Sequence, residues 1–225
     1  MTSRVRVGRN YILSMVARWR TGWRRSGLST PPATEPPRRW AGRAGRAGRV
    51  RWTGPDLAEL QRAVLGSPGT VTDFLEMLTG ERLVADVVRQ SPVVLGPDNQ
   101  LEATAGHAAT HRIAVLKGAT TDRPYVYAET TFVGDRLPEP ARGQLEGTAD
   151  PIGRVLVAHG LHSGREPLAG SQGAGAHPPS TVTGSEPDIV WARAYRLIIG
   201  GQPVFAIHEW FLRSVLDAFD HQVRG

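Results

Sequence analysis

Residues 191–216 read WARAYRLIIGGQPVFAIHEWFLRSVL, and the fold class turns on this stretch. Two apolar runs rich in aromatic and β-branched residues, Trp191 to Ile199 and Pro203 to Leu212, flank Gly200-Gly201-Gln202. That pattern is a β-hairpin signal. Alternate side chains of a strand share a face. Glu209 therefore shares a face with Ile207 and Phe205, and His208 shares the other with Ala206 and Trp210. A carboxylate on an apolar face is costly unless it is paired or hydrogen-bonded, so Glu209 is a candidate for function.

Working back from the hairpin, Arg112 to Lys117 and Tyr125 to Val133 read as strands, with Thr120 to Pro124 as the turn between them. Leu83 to Val88 reads as another strand, which Pro92 to Leu95 continue. Thr53-Gly54-Pro55-Asp56 is a helix start, followed by Leu57, Leu60, Val64 and Leu65 at helical spacing. Thr70-Val71-Thr72 opens a second short helix carrying Phe74, Leu75 and Leu78 on one face. Residues 138–146 read as helical or irregular, and Arg154 to His159 as a helix capped by Asp150. Residues 160–190, rich in Gly, Ser and Pro, read as a flexible loop or lid. Strands come in hairpin-like runs with no regular βαβ alternation, which predicts an α+β fold with a mainly antiparallel sheet.

Composition narrows the function classes. The 225 residues carry 27 Lys+Arg against 21 Asp+Glu, but residues 1–53 hold 13 Arg, no Lys and only Glu35 as an acid. The remainder is mildly acidic, so a basic pI does not make the whole chain a nucleic-acid binder, and nucleic acid is not an expected partner. Residues 1–53, with AGRAGRAGRV at 41–50 and four of the six Trp, read as a disordered basic tail ahead of a domain at 54–225. A basic amphipathic helix at 10–25, touching a membrane surface or nucleic acid, is the other reading of that tail. The chain has no Cys, which excludes disulfides, Cys-zinc sites and thiol catalysis. No apolar run is long enough to span a membrane. The apolar Tyr11 to Ala17 is followed by arginines rather than by small residues, unlike a secretory signal, so the expected location is cytoplasmic.

No P-loop, GxGxxG, HExxH or GxSxG occurs. His107 and His111 stand four apart in a Gly/Ala/Thr-rich segment with no further ligand nearby, so no metal site is expected. Arg112 opens an apolar strand in HRIAVLKG. Arg112 and Glu209 have two readings: a structural ion pair or edge charge, and a site for an anionic ligand in which Arg takes a carboxylate and Glu a hydroxyl or proton. Arg193 and Arg196 lie three apart and point to opposite faces of a sheet edge, one of them within reach of a pocket. Glu129 reads as an outward-facing strand residue, and Arg136 and Arg142 as surface charges.

The hairpin resembles the end of the chorismate pyruvate-lyase (4-hydroxybenzoate synthase) family: an Arg-rich strand, a Gly turn followed by Pro, and an apolar strand with one Glu before an aromatic-Leu step. Gly69-Thr70-Val71-Thr72, HRIAVLKG with YVYAETTFV, and Asp150-Pro151-Ile152-Gly153-Arg154-Val155-Leu156 resemble other family segments in the same order. The resemblance covers about residues 55–216. It implies an α+β fold in which helical flaps cover a buried pocket, and a cofactor-free elimination of pyruvate from chorismate by a monomer. It implies that Arg112 grips the ring carboxylate and that Glu209 sits at the hydroxyl. Val71 and Ile152 would line the pocket, and Arg165 matches an arginine in the loop beyond the Pro-Leu-Gly helix. His208 stands where a small hydroxyl residue is more usual, and residues 166–190 depart from the family pattern. The same fold serves as the effector-binding UTRA domain of bacterial transcription regulators, so non-catalytic ligand binding is the alternative. The winged helix that precedes those sensors has no counterpart in residues 1–53.

Overall fold

The computed structural model describes residues 54–66, 69–168 and 189–224. The expectations for the tail 1–53 and for most of the loop, 169–188, fall outside the described residues. The chain divides into two compact units, Met1–Gly66 and Ser67–Gly225. Of the first, only helix α1 (Gly54–Gly66) is described, and it carries Leu57, Leu60 and Val64 at helical spacing.

The second unit is built on one antiparallel sheet. In chain order it contains α2 (Val71–Thr79), β1 (Leu83–Val94), β2 (Ala108–Gly118) and β3 (Pro124–Phe132). A 3₁₀ turn (Gly134–Arg136) follows, then α3 (Glu139–Gly147), α4 (Ile152–Ala158), β4 (Ser163–Pro167), β5 (Ile189–Ile199), β6 (Gln202–Leu212) and α5 (Arg213–Arg224). The strand order is β1-β2-β3-β6-β5-β4, so the α+β antiparallel class is the one observed. Gly200 (φ 58°) and Gly201 (φ 80°) both sit in the left-handed region at the β5–β6 turn. A two-residue hairpin turn requires that conformation, and glycine adopts it without steric cost.

The helices pack on the sheet through apolar residues. Leu137, Ala141, Leu145, Val155 and Leu156 bury against Phe132, Leu197, Phe205 and Ile207. Leu95, Leu101, Ala109, Val133 and Ala206 form a second cluster. Helix α2 begins with a full capping box: the Asp73 amide donates to Thr70 Oγ1 (3.1 Å), and the Thr70 amide donates to Asp73 Oδ2 (2.9 Å). Arg154 on α4 pairs with Glu76 on α2 and donates to the Leu83 carbonyl (3.1 Å), tying both helices to the start of β1.

Four expectations are corrected. Asp150 does not cap α4; Pro151 holds the N-cap position without a side-chain bond. A residue before proline is driven to extended backbone. Its carboxylate instead accepts from Gln144 Nε2 (2.9 Å) and Thr148 Oγ1 (3.1 Å). The Gln144 bond leads the causes that hold it below the usual aspartate range. The loop expected over 160–190 contains β4, which pairs with β5 from Ser163↔Ile199 to Pro167↔Tyr195. All five β4 residues are exposed, so the strand shows no apolar alternation to read. Arg193 lies on an interior strand and is buried rather than at a solvated edge. Arg136, expected as a surface charge, donates to the carbonyls of Leu101 and Pro203.

The two helix starts meet where only glycine fits. A Cβ on Gly153 would lie 2.5 Å from Thr70 Cβ and 2.6 Å from its Cγ2. Thr70 cannot swing aside without losing the capping box. Gly153→Ala is expected to cost about 1–3 kcal/mol by overpacking. Thr70→Gly, which costs only a few tenths of a kcal/mol at an N-cap, should recover most of that loss in the double variant. Urea denaturation of the three variants checks it, and an unchanged midpoint for Gly153→Ala would contradict the close contact.

Candidate functional site

A cavity lies between the sheet and the starts of α2 and α4. It is lined from the helix side by Thr70, Val71, Thr72, Pro151, Ile152, Gly153 and Leu156. From the sheet it is lined by Arg112, Ala114, Ala128, Thr130, Arg165, Tyr195, Ile207 and Glu209, among others. All five residues singled out from the sequence, Arg112, Glu209, Val71, Ile152 and Arg165, line this one cavity.

Register explains how remote residues meet. Arg112 pairs with Thr130 across β2–β3, and Thr130 pairs with Ile207 across β3–β6. Glu209 is two residues farther along β6, on the same face. Two strand spacings and two residues place the Arg112 and Glu209 Cα atoms about 12 Å apart in an ideal sheet. Arg112 and Glu209 thus line one cavity from different strands of the sheet.

Arg112 is 2 % exposed. Its Nη1 donates to the Leu145 carbonyl (2.7 Å) in the last turn of α3, and its Nη2 to the Asp150 carbonyl (3.1 Å). Burial draws its pKa below the usual arginine value, with Asp150 opposing the change; the group nevertheless remains a cation at neutral pH. Among the described residues no carboxylate pairs with it: both its acceptors are backbone carbonyls. Those bonds orient the guanidinium without neutralising it. A buried cation with no carboxylate in direct contact is expensive: Asp150 offsets part of its burial by charge alone, and an anion entering the cavity would add a direct partner.

Glu209 is 3 % exposed and fully partnered on one side. Arg193 Nε donates to its Oε2 (2.6 Å) and the Tyr195 hydroxyl donates to its Oε1 (2.9 Å). The Arg193 guanidinium sits 4.8 Å from the Tyr195 ring centroid, 5.4 Å from that of Phe211 and 5.7 Å from that of Trp191. Burial lowers the Arg193 pKa, but the charges and hydrogen bonds of Glu209 and Tyr195 together outweigh it and the net shift is upward. Burial, joined by the Glu209 charge, pushes the Tyr195 hydroxyl up, so it stays protonated and donates. Each carboxylate oxygen keeps acceptor capacity, directed at whatever occupies the cavity.

Of the two arginines given as within reach of a pocket, Arg193 is the one that meets Glu209, and Tyr195, which the sequence reading did not single out, joins it. Counting from the Ile199↔Gln202 turn in an unbroken ladder puts Ala192 opposite Glu209 and Arg193 on the other face. The ladder shifts by one between Leu197 and Ile198, and Arg193 becomes the direct partner of Glu209. His208 does face away from Glu209, stacking on Trp210 (6.1 Å between centroids). Glu129 also lies off the cavity face, paired with His111 (2.7 Å). Among the described residues no His, Asp or Glu cluster could hold a metal ion, and no helix is long and apolar enough to cross a membrane.

The family model of the Rv2949c-like chorismate pyruvate-lyases matches residues 65–219. The chorismate pyruvate-lyase of Mycobacterium tuberculosis is 29% identical over 167 residues, covering 72% of this chain and 83% of that protein. The chorismate pyruvate-lyase of Mycobacterium leprae is 30% identical over 165 residues, covering 68% and 74%. Among solved structures, PhnF from Mycobacterium smegmatis aligns with a TM-score of 0.49 at 11% identity, over 66% of this chain and 65% of its own. The family match spans both charged ends of the cavity and the helix starts that cover it, and the chain belongs to the Rv2949c-like chorismate pyruvate-lyase family.

Proposed function

We propose that the protein is a chorismate pyruvate-lyase, converting chorismate to 4-hydroxybenzoate and pyruvate. The observation that carries this reading is Arg112: a buried guanidinium on a cavity wall, bonded among the described residues to backbone carbonyls, with the Glu209 carboxylate lining the same cavity. That pairing suits a ring bearing a carboxylate at one end and a hydroxyl at the other. Family membership supplies the substrate class.

Chorismate has a carboxylate at C1, an enolpyruvyl ether at C3 and a hydroxyl at C4. Loss of the C4 hydrogen and cleavage of the C3–O bond make the ring aromatic. The enolpyruvate that departs gains a proton and becomes pyruvate. Atoms and electrons balance with no oxidant, reductant or cofactor. The protein's task is orientation and charge placement. Arg112 holds the ring carboxylate, in a bidentate fork where geometry permits. Glu209 accepts from the C4 hydroxyl and sets negative charge beside the carbon that loses its hydrogen. Arg193 and Tyr195 keep that carboxylate fixed and oriented from behind. Val71 and Ile152 pack on the ring and exclude water.

The direct test is incubation with chorismate while following 4-hydroxybenzoate absorbance and pyruvate release. Product formation in a one-to-one ratio is expected; ligand binding without turnover would assign the site to sensing instead. Arg112→Met should weaken 4-hydroxybenzoate binding about 10–100-fold, the worth of a charge-assisted hydrogen-bonded pair. Arg112→Lys, which keeps the charge but not the fork, should fall between. Glu209→Gln should lower kcat about 100-fold while product affinity changes less than about threefold. Calorimetry and steady-state kinetics read these effects, with circular dichroism to check folding. Equal loss of product affinity in both variants would contradict the two roles.

A further inference from the structure

The cavity wall carries a second cation whose task the ring leaves open. Arg165 is exposed, on edge strand β4, and lines the cavity. Its Nη2 donates to the Gly69 carbonyl (2.7 Å), just ahead of α2. Among the described residues no carboxylate pairs with it. The adjacent acid, Glu166, points to the opposite face and accepts from Arg196 Nε (2.7 Å), while Nη1 of the same arginine binds Glu102. Two acids thus gather on Arg196 and none on Arg165.

Its place along the cavity is defined by Tyr195. The Arg165 guanidinium lies 5.9 Å from that ring centroid, and the same ring's hydroxyl donates to Glu209. Arg165 therefore belongs to the Glu209 end, away from Arg112. With a ring carboxylate on Arg112 and the C4 hydroxyl on Glu209, the neighbouring C3 ether is the substituent nearest that end. The enolpyruvyl group of chorismate ends in a second carboxylate.

We propose that Arg165 binds the enolpyruvyl carboxylate, exchanging its bond to the Gly69 carbonyl for this anion. This rests on the Arg112–Glu209 orientation given above. A carbonyl is a weaker acceptor than a carboxylate, so the exchange favours a dianionic ligand. When pyruvate leaves, the ring product has one carboxylate, and Arg165 returns to Gly69. The site then distinguishes substrate from product by charge: Arg112 and Glu209 hold both, and Arg165 holds only the substrate.

The test compares two stable ligands on the full chain by calorimetry: 4-hydroxybenzoate, and 4-hydroxybenzoate bearing a carboxymethyl ether at ring position 3. Wild-type protein should prefer the dianion, and added salt should shrink that preference because Arg165 is exposed. Arg165→Met should weaken the dianion and raise KM for chorismate by about 5–10-fold, with 4-hydroxybenzoate affinity unchanged within about twofold. Arg165→Lys should recover part of the preference. Equal weakening of both ligands would show that Arg165 only braces the segment before α2, and unchanged binding of both would show that it meets neither; either overturns the proposal. Failure of wild-type protein to turn over chorismate would sink the lyase reading alone, because the dianion preference is read by binding.

Discussion

The buried Arg193–Glu209 pair across the β5–β6 hairpin is the contact on which the site depends. Removing one partner of such a pair leaves an uncompensated charge in the interior, at a cost of about 3–5 kcal/mol. The pair exists because the ladder slips by one residue between Leu197 and Ile198. The extra residue is Val204 on β6; without it Glu209 would stand opposite Ala192, on the other face from Arg193. The bulge fixes which face each charge takes, and the three rings around Arg193 hold its guanidinium in place.

The two ends of the cavity use opposite strategies. Glu209 is compensated by its own chain, through a cation and a hydroxyl. Among the described residues, the hydrogen bonds of Arg112 go to carbonyls, one of them at the C-terminal end of α3, where the helix carries partial negative charge, and Asp150 adds its charge without a direct contact. A site with one satisfied and one unsatisfied end has a built-in polarity. On the proposed reading, an anionic group goes to Arg112 and a neutral donor to Glu209. The helix starts above, held together by the Gly153–Thr70 contact and the Arg154–Glu76 pair, close the apolar side.

Much of this was legible in the sequence. Arg112 and Glu209 stood out because each is a charge in an apolar strand, a placement that needs a reason. The hairpin was legible because two glycines separate two apolar runs, and the start of α2 because Thr70-Val71-Thr72 precedes Phe74, Leu75 and Leu78 on one helix face. What was hidden follows from physics that local patterns do not carry. The register slip that sets Glu209 opposite Arg193 falls at Val204, inside an apolar run that reads as one continuous strand. Strand β4 lacks alternation because neither of its faces is buried. The joining of β3 to β6, which brings Arg112 within reach of Glu209, is a long-range pairing with no local sign.

The carbonyl-only seating of Arg112 reaches beyond catalysis. Any anion that docks there binds the folded chain and not the unfolded one, so it acts as a stabiliser by mass action. At a hundredfold excess over its dissociation constant such a ligand adds about 2.7 kcal/mol, a sizeable share of a typical domain's total stability. How long the protein survives unfolding and proteolysis then rises and falls with the pool of metabolite that fills it, linking abundance to supply without any separate regulator.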